Sequence, residues 1–345
     1  MKNDFAHSCN ENRIKYIQSR KAVLRSRGTV VLGVHTPDCI IERRAPPDTE
    51  TETALPYSNP GKTKSVPGTT PWGAQQFLKG LSMSKLTFEQ FGELEAKYEA
   101  GTATADDLAA LEPYRAKRAV LLASGFGSRM LPITINTPKP LVDVNGQRII
   151  ETLLNALLAA DITEIYIVTG YKRECFELLK RDYPMVTLLE NPIYASTNNI
   201  SSACVAKDHF SNAYVFESDL YLRNPALIKK YRYQSCYMGV PVNETPDWCF
   251  DTENGIITDL HKGGSDCHHM YGISYWTKED GAQLAIDLPT CFDADDETKQ
   301  RFWDDVPCVI RRDNYRIAIE ECTFDDVSEI DSFAELQEID HRYRI

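Results

Sequence analysis

From residue 119 onward, short apolar runs alternate with segments whose apolar residues recur at helical spacing. Ala119-Val120-Leu121-Leu122-Ala123 is an unbroken apolar run closed by Ser124-Gly125, which predicts a strand buried on both faces. The pattern then predicts a helix over 150–160, a strand over 165–169 ending at Gly170-Tyr171, and a helix over 173–183. A strand over 186–189, a helix over 201–210 and a strand over 213–216, running into Glu217-Ser218-Asp219, complete the series. Such alternation predicts an α/β, Rossmann-like fold: a mainly parallel sheet with helices on both faces. Ligands of these sheets bind beyond the carboxyl ends of the strands. The loop after Ala123, Gly170 and Asp219 are therefore expected to converge on one crevice.

The flanks read differently. Segments 233–241, 248–250, 256–257, 271–276, 308–310 and 316–319 are strand-like and aromatic, and predict a small antiparallel extension or lid over the crevice, spanning 231–330. A closing helix is expected over 332–345. Ahead of the main domain, 119–345, lies a segment with Leu86, Phe88, Phe91, Leu94 and Tyr98 at helical spacing. Gly101 breaks it and Thr104-Ala105-Asp106-Asp107 can cap a second helix, so 83–118 is expected to form a helical hairpin. Residues 1–82 are rich in Pro, Thr, Ser and Gly over 46–71 and are expected to be a disordered basic extension.

Charge sharpens this division. The extension carries +5 and the rest −17, within a net charge of −12 over 345 residues. That balance argues against a general nucleic-acid binder, which needs a basic face. It leaves room for a nucleotide held by a few local cations. The ten cysteines include no C-x-x-C pair, which argues against a zinc ribbon. Cys267-His268-His269 are adjacent and cannot readily surround one ion. With no apolar leader and no run near ~18 apolar residues, the chain reads as cytoplasmic, with reduced thiols and no membrane span.

The candidate chemistry sits in 119–150. In Ser124-Gly125-Phe126-Gly127-Ser128-Arg129 two glycines let backbone amides approach an anion, and Arg129 supplies a forked cation. Lys139, between Pro138 and Pro140, is a point charge on a stiffened segment, which suits a phosphate. Asp219, at a strand end, can hold a cation against phosphate oxygens or close a turn. Taken together, 122–141 resembles the signature of the nucleotidyltransferase family, L-x-A-G-x-G-[ST]-R-x-x-P-x-T-x-x-x-P-K-P-L, with Ser124 at a position that usually holds Ala or Gly.

The resemblance implies the following. Leu122, Ala123, Ser124, Gly125, Gly127, Ser128 and Arg129 bind the nucleotide, with Gly170, Asn198 and Asn199 near the base. Lys139 and Arg129 serve catalysis, and Asp219 and Asp331 hold Mg2+. Glu217 stands where a second Asp is usual, and Asp331 is also a candidate helix N-cap. Residues 194–199, Trp248, 272–276, 302–304 and 329–332 further resemble bacterial CTP:phosphocholine cytidylyltransferases, which implies CTP and phosphocholine as substrates. A quaternary ammonium has no hydrogen to donate and is held by ring faces and negative charge. Trp248, Tyr271, Tyr275, Trp276 and Trp303, with Asp304 or Asp305, are the candidates for that role, and the resemblance adds Tyr194 and Lys139 as substrate-binding residues. Three alternatives stand beside this reading: a sugar-1-phosphate nucleotidyltransferase, a cytidylyltransferase for another phospho-amine, and a non-catalytic nucleotide-sensing subunit.

Overall fold

The computed structural model describes residues 85–344, so the 1–82 extension lies outside the described residues. Its core is a seven-stranded sheet. The strands are β1 (Arg118–Ala123), β2 (Glu164–Thr169), β3 (Val186–Glu190), β4 (Ala213–Glu217), β6 (Cys236–Glu253), β7 (Ile256–Trp276) and β8 (Ala318–Glu321). Their order is β8-β6-β7-β4-β1-β2-β3. The β4-β1-β2-β3 half is parallel throughout. β7 runs antiparallel to β4 and to β6. A second ladder pairs β5 (Leu220–Leu222) with β9 (Val327–Glu329), also antiparallel.

Alternation along β1 explains its unbroken apolar run. Ala119, Leu121 and Ala123 enter one core, while Val120 and Leu122 enter the other. The first core is covered by α3 (Ile149–Ala159) through Ile150, Leu153, Leu154 and Leu157. The second is covered by α4 (Ile200–Ala206) and α5 (Lys278–Phe292), through Ile200, Ala203, Leu284 and Leu288. A strand buried on both sides has no use for polar residues.

Ahead of the sheet, α1 (Phe88–Glu99) starts at a capping box of Thr87 and Gln90. α2 (Ala105–Leu111) starts at another, of Thr104 and Asp107. Phe91, Leu111, Tyr114 and Tyr231 form a small core there. Near the end of the described residues lies α6 (Phe333–Ile339), capped by Ser332; it is shorter than the expected 332–345 helix, and a 3₁₀ turn, His341–Tyr343, follows it.

Several local expectations change. Residues 306–310 form a wide helical turn instead of a strand, closed by Arg311 N–H to Val306 O at 2.8 Å. Pro307 has no N–H to give a ladder. The 173–183 segment is mostly a tight 3₁₀ helix, Arg173–Leu178, ending in one α turn. Its buried anchors are only Phe176 and Leu179. The aromatic 231–330 region is hydrogen-bonded into the main sheet through β7, and it contains α5, a helix the periodicity did not suggest. The signal for α5 was present: the Thr277 hydroxyl accepts the Asp280 N–H as an N-cap.

Candidate active site

The loop after β1 is fixed from beneath. Ser124 Oγ lies 2.6 Å from Ser202 Oγ, and Asn191 Nδ2 donates to Ser201 and Ser202. Tyr171 N–H donates to Ser124 O at 3.1 Å, which draws the ends of β1 and β2 together. Gly170 allows that approach: a Cβ there would lie 2.6 Å from the Tyr194 ring and 2.9 Å from Ser124 Cβ. Gly127 is left-handed, at φ 60°, and a Cβ there would lie 2.9 Å from Lys139 Cβ. The Thr134 hydroxyl donates to Gly127 O at 2.9 Å. The glycine loop and the proline segment are thereby clamped to each other, and Lys139 is held beneath the loop. Gly125, Ser128 and Arg129 remain exposed. Leu122 and Ala123 are buried strand residues, and the Leu122 carbonyl accepts from the Ser218 hydroxyl.

Lys139 is 7 % exposed and its Nζ bridges Asp219 Oδ2 and Asp331 Oδ1, each at 2.7 Å. Burial pulls its pKa down, but the two carboxylates outweigh this and hold it above the usual lysine value. Arg129 Nη1 reaches Asp331 Oδ2 at 2.7 Å while staying 69 % exposed. Asp331 is therefore free of the helix-capping role, which Ser332 performs.

Glu329, which the sequence reading missed, joins them. Asp219, Glu329 and Asp331 bring carboxylate oxygens within 4.8 Å of one another. The legible signal was Glu329-x-Asp331, alternate positions at a strand end that share a face. Burial, then Asp219 and Asp331, push the Glu329 carboxyl up to about 8. Asp219 Oδ1 is buried with no hydrogen-bond partner among the described residues. Three crowded carboxylates and one orphaned oxygen are a donor set suited to a hard divalent cation.

The remaining predicted residues divide. Tyr194 is half-buried beside the loop, its ring 5.2 Å from Phe126, which in turn lies 5.3 Å from Tyr171. Trp248 is half-buried, edge-on to Phe302 at 5.6 Å. Tyr271, Tyr275, Trp276 and Trp303 are core residues, 0–3 % exposed. Tyr271 donates to Val327 O, and Trp276 Nε1 to Ser274 Oγ. The Trp303 ring packs against Phe210 and Trp276. None of these four rings has an open face for a cation, so the expected aromatic cage reduces to Trp248 and its neighbour Phe302. Asp304 is likewise buried, accepting from Tyr237 Oη at 2.6 Å, and burial pushes its carboxyl up to about 7. Asn198 and Asn199 are engaged away from the glycine loop. Asn198 Nδ2 donates to Gln300 O; Asn199 donates to Glu217 and accepts from the Trp303 N–H.

Residues 118–234 match the family model described as nucleotidyl transferase. A 2-aminoethylphosphonate cytidylyltransferase of Lancefieldella rimae is 40% identical over 236 residues, covering 65% of this chain and 92% of that protein. The chain belongs to the nucleotidyltransferase family. The choline-phosphate cytidylyltransferase of Haemophilus influenzae is 30% identical over 224 residues, covering 64% of this family member and 95% of that enzyme. The crystal structure of the CTP:phosphocholine cytidylyltransferase from Streptococcus pneumoniae superposes with a TM-score of 0.60 at 28% identity, over 67% of this chain and 100% of that one. This nucleotidyltransferase thus has cytidylyltransferases as its relatives. Among its described residues no helix is long and apolar enough to cross a membrane.

Proposed function

We propose that the chain transfers a cytidylyl group from CTP to an oxygen of a small amine that carries a phosphonate or phosphate, with 2-aminoethylphosphonate as the model acceptor. The observation that carries the choice of acceptor is the burial of Tyr271, Tyr275, Trp276 and Trp303. A quaternary ammonium is held by several open ring faces, and the crevice offers few. The 40% identical relative, named for the aminophosphonate, points the same way.

In this reading the acceptor oxygen attacks the α-phosphorus of CTP in line. One P–O bond forms as the bond to pyrophosphate breaks, giving the CMP-linked amine and pyrophosphate. The acceptor oxygen is already ionised near neutral pH, so positioning and charge neutralisation supply the catalysis. Backbone amides around Gly125 and Gly127 cradle the triphosphate, and exposed Arg129 meets its outer phosphates. Lys139 stabilises charge at the α-phosphate, a role that requires Nζ to leave Asp219 and Asp331. Those two, with Glu329, would hold Mg2+, which supplies charge neutralisation on the triphosphate.

The test is pyrophosphate release with CTP and UTP, each crossed with 2-aminoethylphosphonate, phosphoethanolamine, phosphocholine and glucose-1-phosphate. Turnover with CTP and the primary amines, well above phosphocholine, is expected. A preference for phosphocholine or for the sugar phosphate would overturn the acceptor assignment. Silence in every well would favour a nucleotide-sensing role.

A further inference from the structure

Glu217 ends β4, two residues before Asp219. Its Oε1 accepts from Asn199 Nδ2 at 2.7 Å; Oε2 takes no hydrogen bond among the described residues, and the side chain is half-buried. Asn199 Oδ1 accepts the Trp303 N–H at 2.8 Å, which ties Glu217 to the turn carrying Phe302. Phe302 is 39% exposed and meets Trp248. Gly272 makes room for the glutamate, since a Cβ there would lie 2.3 Å from Glu217 Cγ. Lys139 is engaged by Asp219 and Asp331, so no cation forms an ion pair with Glu217 among the described residues. Burial, then Asp219, Asp304 and Glu329, push the Glu217 carboxyl well above its usual range against the pull of Lys139; the acid is oriented by one amide and has no ion-pair partner among the described residues. Most buried carboxylates have one.

We propose that Glu217 selects a primary ammonium on the acceptor, with Oε2 accepting its N–H while the phosphorus end lies toward Lys139. The proposal rests on the reading of this chain as a transferase acting on a small phosphorus-bearing amine. A primary ammonium has three N–H donors and a quaternary one has none. A charge-assisted hydrogen bond to a fixed carboxylate therefore discriminates between them where an aromatic wall alone does not. Trp248 and Phe302 are left to cover the spacer carbons.

The decisive experiment uses four acceptors of equal charge on nitrogen: 2-aminoethylphosphonate and its N-methyl, N,N-dimethyl and N,N,N-trimethyl forms. With the wild-type protein, kcat/KM should fall along the series, most sharply at the trimethyl form, where the last N–H is lost. In Glu217→Gln the KM for the primary amine should rise about 10- to 100-fold, the cost of one charged hydrogen bond. The series should flatten, and the KM for CTP should stay unchanged. A flat or rising wild-type series overturns the proposal. So does a Glu217→Gln enzyme that loses kcat equally on all four acceptors with unchanged acceptor KM. If that variant does not fold, the wild-type series decides alone. If the wild-type protein uses none of the four but accepts a sugar phosphate, the underlying functional reading fails and the selection by Glu217 falls with it.

Discussion

Lys139 combines the strongest constraints of any single residue. It is buried, follows a proline, touches the positive-φ glycine and lies between two acids. Lys139→Ala should lower kcat by about 10²-fold or more; pyrophosphate release within about threefold of wild type would remove it from the mechanism. Because its ammonium occupies the carboxylates a cation would use, Lys139→Met should bind Mn2+ more tightly than wild type without nucleotide. Electron paramagnetic resonance reads that directly, and unchanged affinity would contradict the competition. Asp304 supplies a pH test. Its folded pKa of about 7 lies above the ordinary carboxyl value, so between roughly pH 4 and 7 the native state binds more protons than the unfolded chain. Stability should fall as pH rises through that window. Asp304→Asn keeps an oxygen for Tyr237 and should flatten the fall; thermal melts at pH 5 and pH 8 measure it. At this scale Arg129 and Lys139 were legible because the signature names them, and Asp219 and Asp331 because the family resemblance matches their positions at a strand end and before the last helix. The roles of Glu217 and Glu329 were not, because an acid at a strand end has many uses and only its neighbours select one.

The elements act chiefly by setting the approach of one backbone to another. Ser332 caps α6 immediately after Asp331, so the cap also fixes where that carboxylate sits. Ser332→Ala should cost about 1 kcal/mol of stability, and should lower activity because Asp331 loses its anchor. A variant that loses stability with full activity would separate the two roles. Strand positions along 119–217, and the helices α3 and α4, followed from periodicity, since each of these elements buries a regular face, whereas 173–183 buries only two anchors and winds mainly as a 3₁₀ helix. Periodicity failed at 306–310, where Pro307 forbids a ladder, and at α5, whose capping signal follows directly on the apolar end of β7.

The central sheet separates two main cores of the described molecule, and this division decides which aromatic rings can meet a ligand. Trp276 is fully buried in the second core. Trp276→Phe should lower the melting temperature through lost packing, yet leave the ratio of acceptor KM values as in wild type; a shifted ratio would return the ring to the acceptor site. By itself the sequence determined the parallel α/β order, the glycine loop and the arginine and lysine of the signature. Local spacing and backbone chemistry are enough to specify those. Only the tertiary structure decided that four of the candidate aromatics are core, that Glu329 completes the carboxylate cluster and that Glu217 makes no ion pair among the described residues. An aromatic side chain has the same local pattern in a core as in a pocket, and the difference lies in what packs against it from distant parts of the chain.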